Sequence, residues 1–331
     1  MVRVLNNEAE RVWLAPMSGS TDAAFRRQAV RFGCPAVVSE MVAGEALAAN
    51  RKDMVRRTCR HEGRGRWIVQ LAARRPEDMR KGAELLAEAG VDQIDINMGC
   101  PSRQVTGGAS GSALMREPDL ARAIIDAAIE GGQGVPVSLK MRLGWDDGQL
   151  NAPDLARHAE QAGVVMLTVH GRTRCQFYKG RANWVAIADT VNAVGVPVIA
   201  NGDVSDTPSA LNALDQSGAY GVMIGRAAMG QPWLPAKIAA ELEGGFYRMP
   251  SRAEQLDSLI SQIEESQSLY GKSLGLRIVR KHVAAAIDKL DGHWDERDRR
   301  ETRSAACQID CAKALSSMLA DIFLEERGVA A

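Results

Sequence analysis

The sequence predicts an α/β chain, a (β/α)₈ TIM barrel followed by a C-terminal helical bundle domain. Three observations carry that prediction. Short β-rich apolar runs alternate with longer helix-periodic segments through the first three-quarters of the 331 residues. Eight such units fit within about 230 residues, the size of a closed barrel, with a doubly wound open sheet as the competing architecture. Beyond Gly244-Gly245 the strand signals stop and only helical runs follow.

The expected strands are Val12–Ala15, Ala36–Ser39, Trp67–Leu71, Gln93–Asn97, Val137–Arg142, Val165–His170, Val196–Ala200 and Tyr220–Ile224. Their Val, Ile and Leu content suits a parallel sheet covered by helices on its faces. Helices are expected over Thr21–Phe32, Pro76–Ala89, Glu117–Ile129, Ala152–Gln161 and Thr207–Gln216. Several open on start signals: Thr21 and Asp22, then Pro76, Pro118 and Pro153, each with an acidic residue close behind. In Ser251–Glu326, Leu276, Val279, Val283, Ile287 and Leu290 step along one helical face. So do Ile309, Ala312, Leu315, Leu319 and Ile322. The division is therefore a barrel over 1–245 and a helical domain over 246–331.

Composition narrows the classes. The chain is 46% hydrophobic and 25% charged, enough for a sizeable core, and its formal net charge is zero. A uniformly basic nucleic-acid binder is excluded, although 41 basic residues gathered on one face still suit a polyanion. No apolar stretch approaches the ~18–20 residues that span a bilayer. The polar start, Met1–Arg11, does not read as a signal peptide. Six scattered cysteines without a CxxC pattern fit reduced thiols, so a cytoplasmic protein is expected.

Polar and glycine-rich residues follow one strand after another: Pro16-Met17-Ser18-Gly19, Ser39-Glu40-Met41, Gln70, Asn97-Met98-Gly99-Cys100-Pro101, Lys140 and Arg142, His170-Gly171-Arg172, Asn201-Gly202-Asp203 and Gly225-Arg226. In a barrel all of these open on the C-terminal face, where active sites are built. The last two sets suit a phosphate cradle of backbone N–H groups with Arg226 as a charged fork, or equally two ordinary glycine turns. Lys140 reads as a snorkelling strand-end lysine, or as a cation against an anionic cofactor such as the N1–C2 edge of a reduced flavin. A satisfied strand-end histidine is the lesser reading of His170. Cys100 sits on a tight turn between Gly99 and Pro101 with no neighbour to make a thiolate. A neutral thiol there gives a proton rather than attacking as a nucleophile. Cys307 and Cys311, four apart on an expected helix, read as core fillers, and no metal site is expected.

Taken together, Trp13-Leu-Ala-Pro-Met-Ser-Gly-Ser-Thr-Asp22, Ile94-Asp-Ile-Asn-Met-Gly-Cys-Pro101, Leu139-Lys-Met-Arg142, Thr168-Val-His-Gly-Arg-Thr-Arg174, Ile199-Ala-Asn-Gly-Asp203 and Met223-Ile-Gly-Arg226 resemble the tRNA-dihydrouridine synthases. Tyr270-Gly-Lys272 and Gly275-Leu-Arg-Ile-Val-Arg-Lys-His282 resemble the bacterial B-type members. The resemblance implies an FMN barrel, NADPH as reductant, and reduction of a D-loop uridine in the tRNA elbow, at position 17 by likeness to the B-type members. It implies that Pro16, Met17 and Ser18 cover the isoalloxazine, that Gln70 bonds its polar edge and that Lys140 sits near N1/O2. His170, Asn201, Gly202, Asp203, Gly225 and Arg226 hold the ribityl phosphate. Asn97 orients the uracil, Cys100 is the acid, and Arg172, Lys272, Arg277, Arg280 and Lys281 contact the tRNA. A soluble monomer is expected. Gly107 and Gly108 stand where many B-type members carry a basic pair. An FMN barrel acting on a free pyrimidine or another small molecule is the alternative.

Overall fold

The computed structural model describes residues 10–60, 65–102, 105, 110–291 and 294–324. Gly107 and Gly108 lie outside them. The first half of the barrel runs β1 (Val12–Leu14), α1 (Ala23–Arg31), β2 (Ala36–Val37), β3 (Val42–Ala43), α2 (Gly44–Ala48), α3 (Lys52–Thr58), β4 (Ile68–Ala72), α4 (Pro76–Glu88), β5 (Gln93–Met98) and α5 (Pro118–Gly132). The second half runs β6 (Val137–Arg142), α6 (Ala152–Ala162), β7 (Met166–His170), α7 (Ala188–Val191), β8 (Val198–Asn201), α8 (Thr207–Ser217), β9 (Gly221–Ile224) and α9 (Leu234–Leu242). Every pairing between these strands is parallel, in the order β2-β1-β9-β8-β7-β6-β5-β4-β3.

The second expected strand is split. After Val37 the ladder shrinks to a single parallel bridge, Val38 to Ile68, and Ser39 N–H donates to Ile68 O at 3.0 Å. Those two contacts join β2 to β4 and close the ring. The split has a local cause. Ser39 Oγ accepts from Gln70 N–H at 3.0 Å and donates to Glu40 O at 2.8 Å, so a hydroxyl replaces the backbone rung before β3 resumes pairing with β4.

The strands are less uniformly apolar than expected. One face of β4, β5 and β6 carries Gln70, then Gln93, Asp95 and Asn97, then Ser138, Lys140 and Arg142, at the two-residue period of a pleated strand. The alternate residues, such as Val69, Leu71, Ile94, Ile96, Leu139 and Met141, are buried, and most join the core under the helices. A smaller apolar plug of Trp13, Ala36, Val38, Ile68, Met166, Ile199 and Met223 completes the barrel core.

Helix starts follow their sequence signals. Asp22 caps α1 by accepting from Phe25 N–H at 2.9 Å, and proline occupies the first turn of α4, α5, α6 and α8. The helical domain comprises α10 (Arg252–Tyr270), α11 (Lys272–Asp288), α12 (Glu296–Gln308) and α13 (Ala312–Leu324). Ser251 and Glu254 form a reciprocal cap on α10. Leu276, Val279, Val283, Ile287 and Leu290 pack with Leu315, Leu319 and Ile322 in one cluster. Ile309 is not on a helix as expected: α12 ends at Gln308 and the chain turns extended before α13. Cys307 and Cys311 therefore do not share a helix. Among the described residues no helix is long and apolar enough to cross a membrane.

The helical domain seats on the barrel through α1 and the turn after β9. Ser258 Oγ donates to Gln28 Oε1 at 3.0 Å, Arg27 pairs with Glu265 at 3.1 Å, and the Phe25 and His282 rings lie 4.5 Å apart. Gly230, at φ +73°, presses onto α11. A Cβ there would lie 2.4 Å from Ala286 N, a contact that real Cβ atoms do not make. Gly230→Ala is expected to cost about 2 kcal/mol or more, from strain plus the forced separation of the two domains. Gly134→Ala, at φ +92° but facing open space, is expected to cost only about 1 kcal/mol. Urea denaturation of the two variants checks the difference.

Candidate active site

A chain of buried hydrogen bonds crosses the barrel. Gln93 Nε2 donates to Ser138 Oγ at 2.7 Å, and Ser138 Oγ donates to Asp95 Oδ1 at 2.6 Å. Gln70 Nε2 donates to Asp95 Oδ2 at 2.7 Å, and Asn97 Nδ2 donates to Gln70 Oε1 at 2.7 Å. Burial pushes the Asp95 carboxyl upward, against the pull of Ser138, Gln70 and the nearby Lys140. At its upper end Asn97 Oδ1 accepts from Gly99 N–H at 3.2 Å and Cys100 N–H at 3.0 Å. That double contact winds the chain into the turn that places Cys100.

The turn is held from two more sides. Arg142 Nε donates to Gly99 O at 2.8 Å, while Ser112 donates to Cys100 O through its hydroxyl at 2.8 Å and its N–H at 3.1 Å. Gly111, at φ +61°, passes beneath; a Cβ there would lie 2.9 Å from Cys100 O. Burial raises the Cys100 thiol above its ordinary range, more than Arg142 and Lys140 lower it. The sulfur therefore carries its proton at neutral pH. Lys140 faces the same region: buried, it donates from Nζ to Asn201 Oδ1 at 2.9 Å, and Asn201 Nδ2 donates to Met223 O at 2.8 Å. Burial and the neighbouring Arg142 pull the Lys140 ammonium down to about 8.

The ends of β7, β8 and β9 form a second corner. Gly202 sits at φ +112°, where a Cβ would lie 2.8 Å from Ala182 Cβ and 3.0 Å from His170 Cδ2. Its left-handed backbone and that of Asp203, at φ +55°, shape a tight turn at this corner. Asp203 does not offer its carboxylate to an anion. That group accepts from Arg172 at 2.6 Å and from Ala182 N–H at 2.7 Å, and Arg226 lies 3.6 Å away. His170 Nε2 lies 3.1 Å from Arg172 Nη1 and so acts as an acceptor. Burial and the surrounding cations drive this imidazole well below its ordinary pKa, so it stays neutral. Gly225 lies next to Met17, whose sulfur is 3.6 Å from the position of a Cβ there. This brings the first loop, with half-buried Pro16 and Met17 and exposed Ser18, against the cradle. Met17 N–H donates to Thr21 Oγ1 at 2.8 Å, and Met17 O accepts from Ser20 and Thr21 N–H, so the loop is a closed turn.

Three residues expected to contact tRNA make bonds within the chain. Arg172 is 2% exposed, and its guanidinium bonds Lys179 O, Gly180 O and Asp203. It braces the loop after β7 because a buried guanidinium must fill its donors with nearby carbonyls. Arg280 holds the α12–α13 corner through Ile309 O at 3.2 Å and Asp310 at 2.7 Å. Lys281 Nζ donates to Gly19 O across the domain seam. Lys272 and Arg277 are exposed on α11. Further along, Arg299 bonds the carbonyls of Ile287, Asp288 and Leu290, and Arg303 grips Asp288.

The structure adds residues that sequence reading left without a role. Arg142 donates to Thr173 O and Phe177 O at 2.8 and 2.9 Å, tying the turn of Cys100 to the β7 loop. Tyr178, 55% exposed, stands between the Arg142 and Arg226 guanidinium groups at 5.6 and 5.5 Å. Trp145 lies between Arg116 at 3.9 Å and Arg174 at 4.6 Å. Arg142 was discoverable from its two-residue offset from Lys140; the aromatic pairings join loops distant in sequence and carry no local signal.

A family model described as dihydrouridine synthase matches residues 13–319. A probable tRNA-dihydrouridine synthase of Rhodobacter capsulatus is 53% identical over 276 residues, covering 82% of this chain and 84% of that protein. The tRNA-dihydrouridine synthase B of Xanthomonas campestris pv. campestris is 38% identical over 315 residues, covering 94% and 91%. Among solved structures, a 2-naphthoyl-CoA reductase superposes with a TM-score of 0.53 at 11% identity, over 71% of this chain and 50% of its own. That likeness speaks to the fold alone.

Arg172→Met is expected to cost about 1–2 kcal/mol in urea denaturation, because the buried guanidinium's bonds to Lys179 O, Gly180 O and Asp203 are lost while those acceptors remain open to water. The same variant, assayed for tRNA binding, is expected to keep the salt dependence of the parent, since no phosphate contact is removed.

Proposed function

Since this chain belongs to the dihydrouridine synthase family, we propose that it is an enzyme reducing the C5=C6 bond of a D-loop uridine in tRNA, with FMN as its flavin and NADPH as the reductant. By likeness to the B-type members the target is position 17, and the enzyme acts in the cytoplasm. The single observation that carries the reading is the placement of Cys100, held by Asn97 on a fixed turn beside Lys140 at the mouth of the barrel.

The residues present fit FMN. Gly202, Gly225 and the Arg226 fork suit its phosphate: a Cβ at Gly202 would collide with Ala182 and His170, and Gly225 lies against Met17 of the first loop. Lys140 supplies positive charge for the electron-rich edge of the ring, and Gln70 keeps one amide N–H beyond its bond to Asp95. Pro16, Met17 and Ser18 form the adjoining wall. His170, Asn201 and Asp203 support the cradle: Asn201 anchors Lys140, His170 accepts from Arg172, and Asp203 fastens the loop. Bound FMN supplies hydride equivalents that NADPH replenishes.

The chain's own task is to position and to move one proton. A uridine extruded from the tRNA elbow enters the mouth, because the barrel cannot reach a stacked base. As C6 of the uracil gains hydride, negative charge grows across C5 and O4. The Cys100 S–H then delivers its proton to C5. A raised thiol pKa serves this step twice, keeping the acid loaded at neutral pH and preventing attack by a thiolate. Asn97 sets the position of that acid; its amide oxygen is taken up by the turn, leaving one N–H to meet a uracil carbonyl. The exposed Lys272 and Arg277 are the α11 residues placed to meet phosphates. A free pyrimidine as substrate draws no support from the relatives' names, all of which specify tRNA.

Cys100→Ala is expected to bind FMN and to be reduced by NADPH like the parent, yet to form dihydrouridine about 10²–10⁴-fold more slowly. Single-turnover oxidation of the reduced enzyme by tRNA measures it, and parental rates in the variant would remove the acid role. The Lys140 cation is present below pH 8 and is lost above it, because its pKa is depressed to about 8. FMN affinity is therefore expected to be flat up to pH 8 and then to fall by up to about tenfold per unit. Lys140→Met should bind more weakly and without that break, as read by flavin fluorescence titration.

A further inference from the structure

We infer that Lys281 is a positioning residue for the cofactor wall, so that the helical domain completes the flavin site as well as serving the tRNA. This rests on the proposed FMN reading. The observation is a clamp on one residue, Gly19. Its N–H donates to the buried Glu40 carboxylate, and its C=O accepts from Lys281 Nζ, which arrives from α11 across the domain seam. The next carbonyl, Ser20 O, lies 3.1 Å from His282 Nε2. Burial and the adjacent Lys281 drive His282 down to about 3, so it is neutral and donates from Nε2. Its ring is packed 4.5 Å from Phe25, which fixes its direction.

Gly19 and Ser20 belong to the same turn as Pro16, Met17 and Ser18. Met17 O accepts from Ser20 and Thr21 N–H, so a movement of Gly19 is passed directly to the wall. Gly19 itself sits at φ +75°, and a Cβ there would lie 3.1 Å from Lys281 Nζ, which leaves the strut little slack. A glycine peptide bracketed by an acceptor carboxylate and a donor ammonium is a charge-assisted pair of contacts, among the stronger hydrogen bonds a protein makes. The underside carries further buried polar groups: Asp22 bonds Tyr270 of α10, and Arg26 bonds Thr21 O and Cys59 O. The Gly19 and Ser20 carbonyls are held by Lys281 and His282 of α11, which supplies that restraint.

The test uses the full-length protein stripped of FMN. Lys281→Met is expected to weaken FMN binding by about tenfold, the worth of one hydrogen bond to a charged group, while Lys281→Arg, which keeps the donor, stays near the parent. Flavin fluorescence titration reads the affinity, and the visible spectrum of the reloaded protein reads the wall. Arg277→Met, from the same helix, is expected to leave FMN affinity unchanged and to reduce the salt slope of tRNA binding by about one. If Lys281→Met instead keeps parental FMN affinity and lowers the tRNA salt slope, Lys281 is an RNA contact and the inference fails. Should Lys281→Met not fold, Glu40→Gln removes the opposing charge from the barrel side and is expected to weaken FMN in the same direction; parental affinity there also overturns the inference. Failure of the unaltered protein to take up FMN would defeat the functional reading instead, which separates the two.

Discussion

The polar side chains that β4, β5 and β6 turn inward find partners inside the barrel, and the site is built from the way that requirement is met. An uncompensated amide or carboxyl in such an interior costs more than a typical hydrogen bond returns. Gln93, Ser138, Asp95, Gln70 and Asn97 satisfy one another in sequence across three strands. The last of them spends its oxygen on the turn carrying Cys100. The position of the Cys100 sulfur is thus the end of a chain of satisfied hydrogen bonds rather than the choice of one loop. A change in any of these five side chains reaches the mouth through that chain.

The same accounting divides the arginines and lysines. Those that lie over carbonyl-rich corners become braces: Arg142 across the β5, β6 and β7 ends, Arg172 over the β7 loop, Arg280 and Arg299 at helix ends. Guanidinium groups suit that work because five N–H donors in a fixed plane can meet several oxygens at once. What is left for a polyanion is a smaller set of exposed cations, Lys272 and Arg277 among them. A zero net charge and an RNA substrate are compatible on those terms, since the free cations need only share a surface.

Much of the architecture was legible in the residues. Seven strands fall within two residues of the expected bounds, and Asp22, Pro76, Pro118 and Pro153 mark helix starts where local chemistry requires them. The Leu276–Leu290 stripe and its partner of Leu315, Leu319 and Ile322 share one core. The exceptions have physical reasons. The second strand breaks because Ser39 Oγ substitutes for a ladder partner on Gln70, a contact 31 residues apart. The helical stripe through Ile309 continues across a chain turn, because apolar residues on either side of a corner can face the same core. Within the site, the loops that meet at the rim were readable from their places after strands, whereas the partners of Asn97, Arg172 and Asp203 were not.

Periodicity and turn chemistry are local properties of the chain, and they were enough to specify a barrel with polar and glycine-rich loops after its strands and a helical domain following it. They do not say which long side chain meets which backbone carbonyl. Lys281 shows why. On its own helix it is one of three neighbouring cations, indistinguishable from Arg277 in charge, reach and surroundings. Only when α11 lies against the barrel does 262 residues of separation become a contact with Gly19. Long-range packing sets the solvent exposure of each cation, and exposure decides whether a charge serves a substrate or holds a wall.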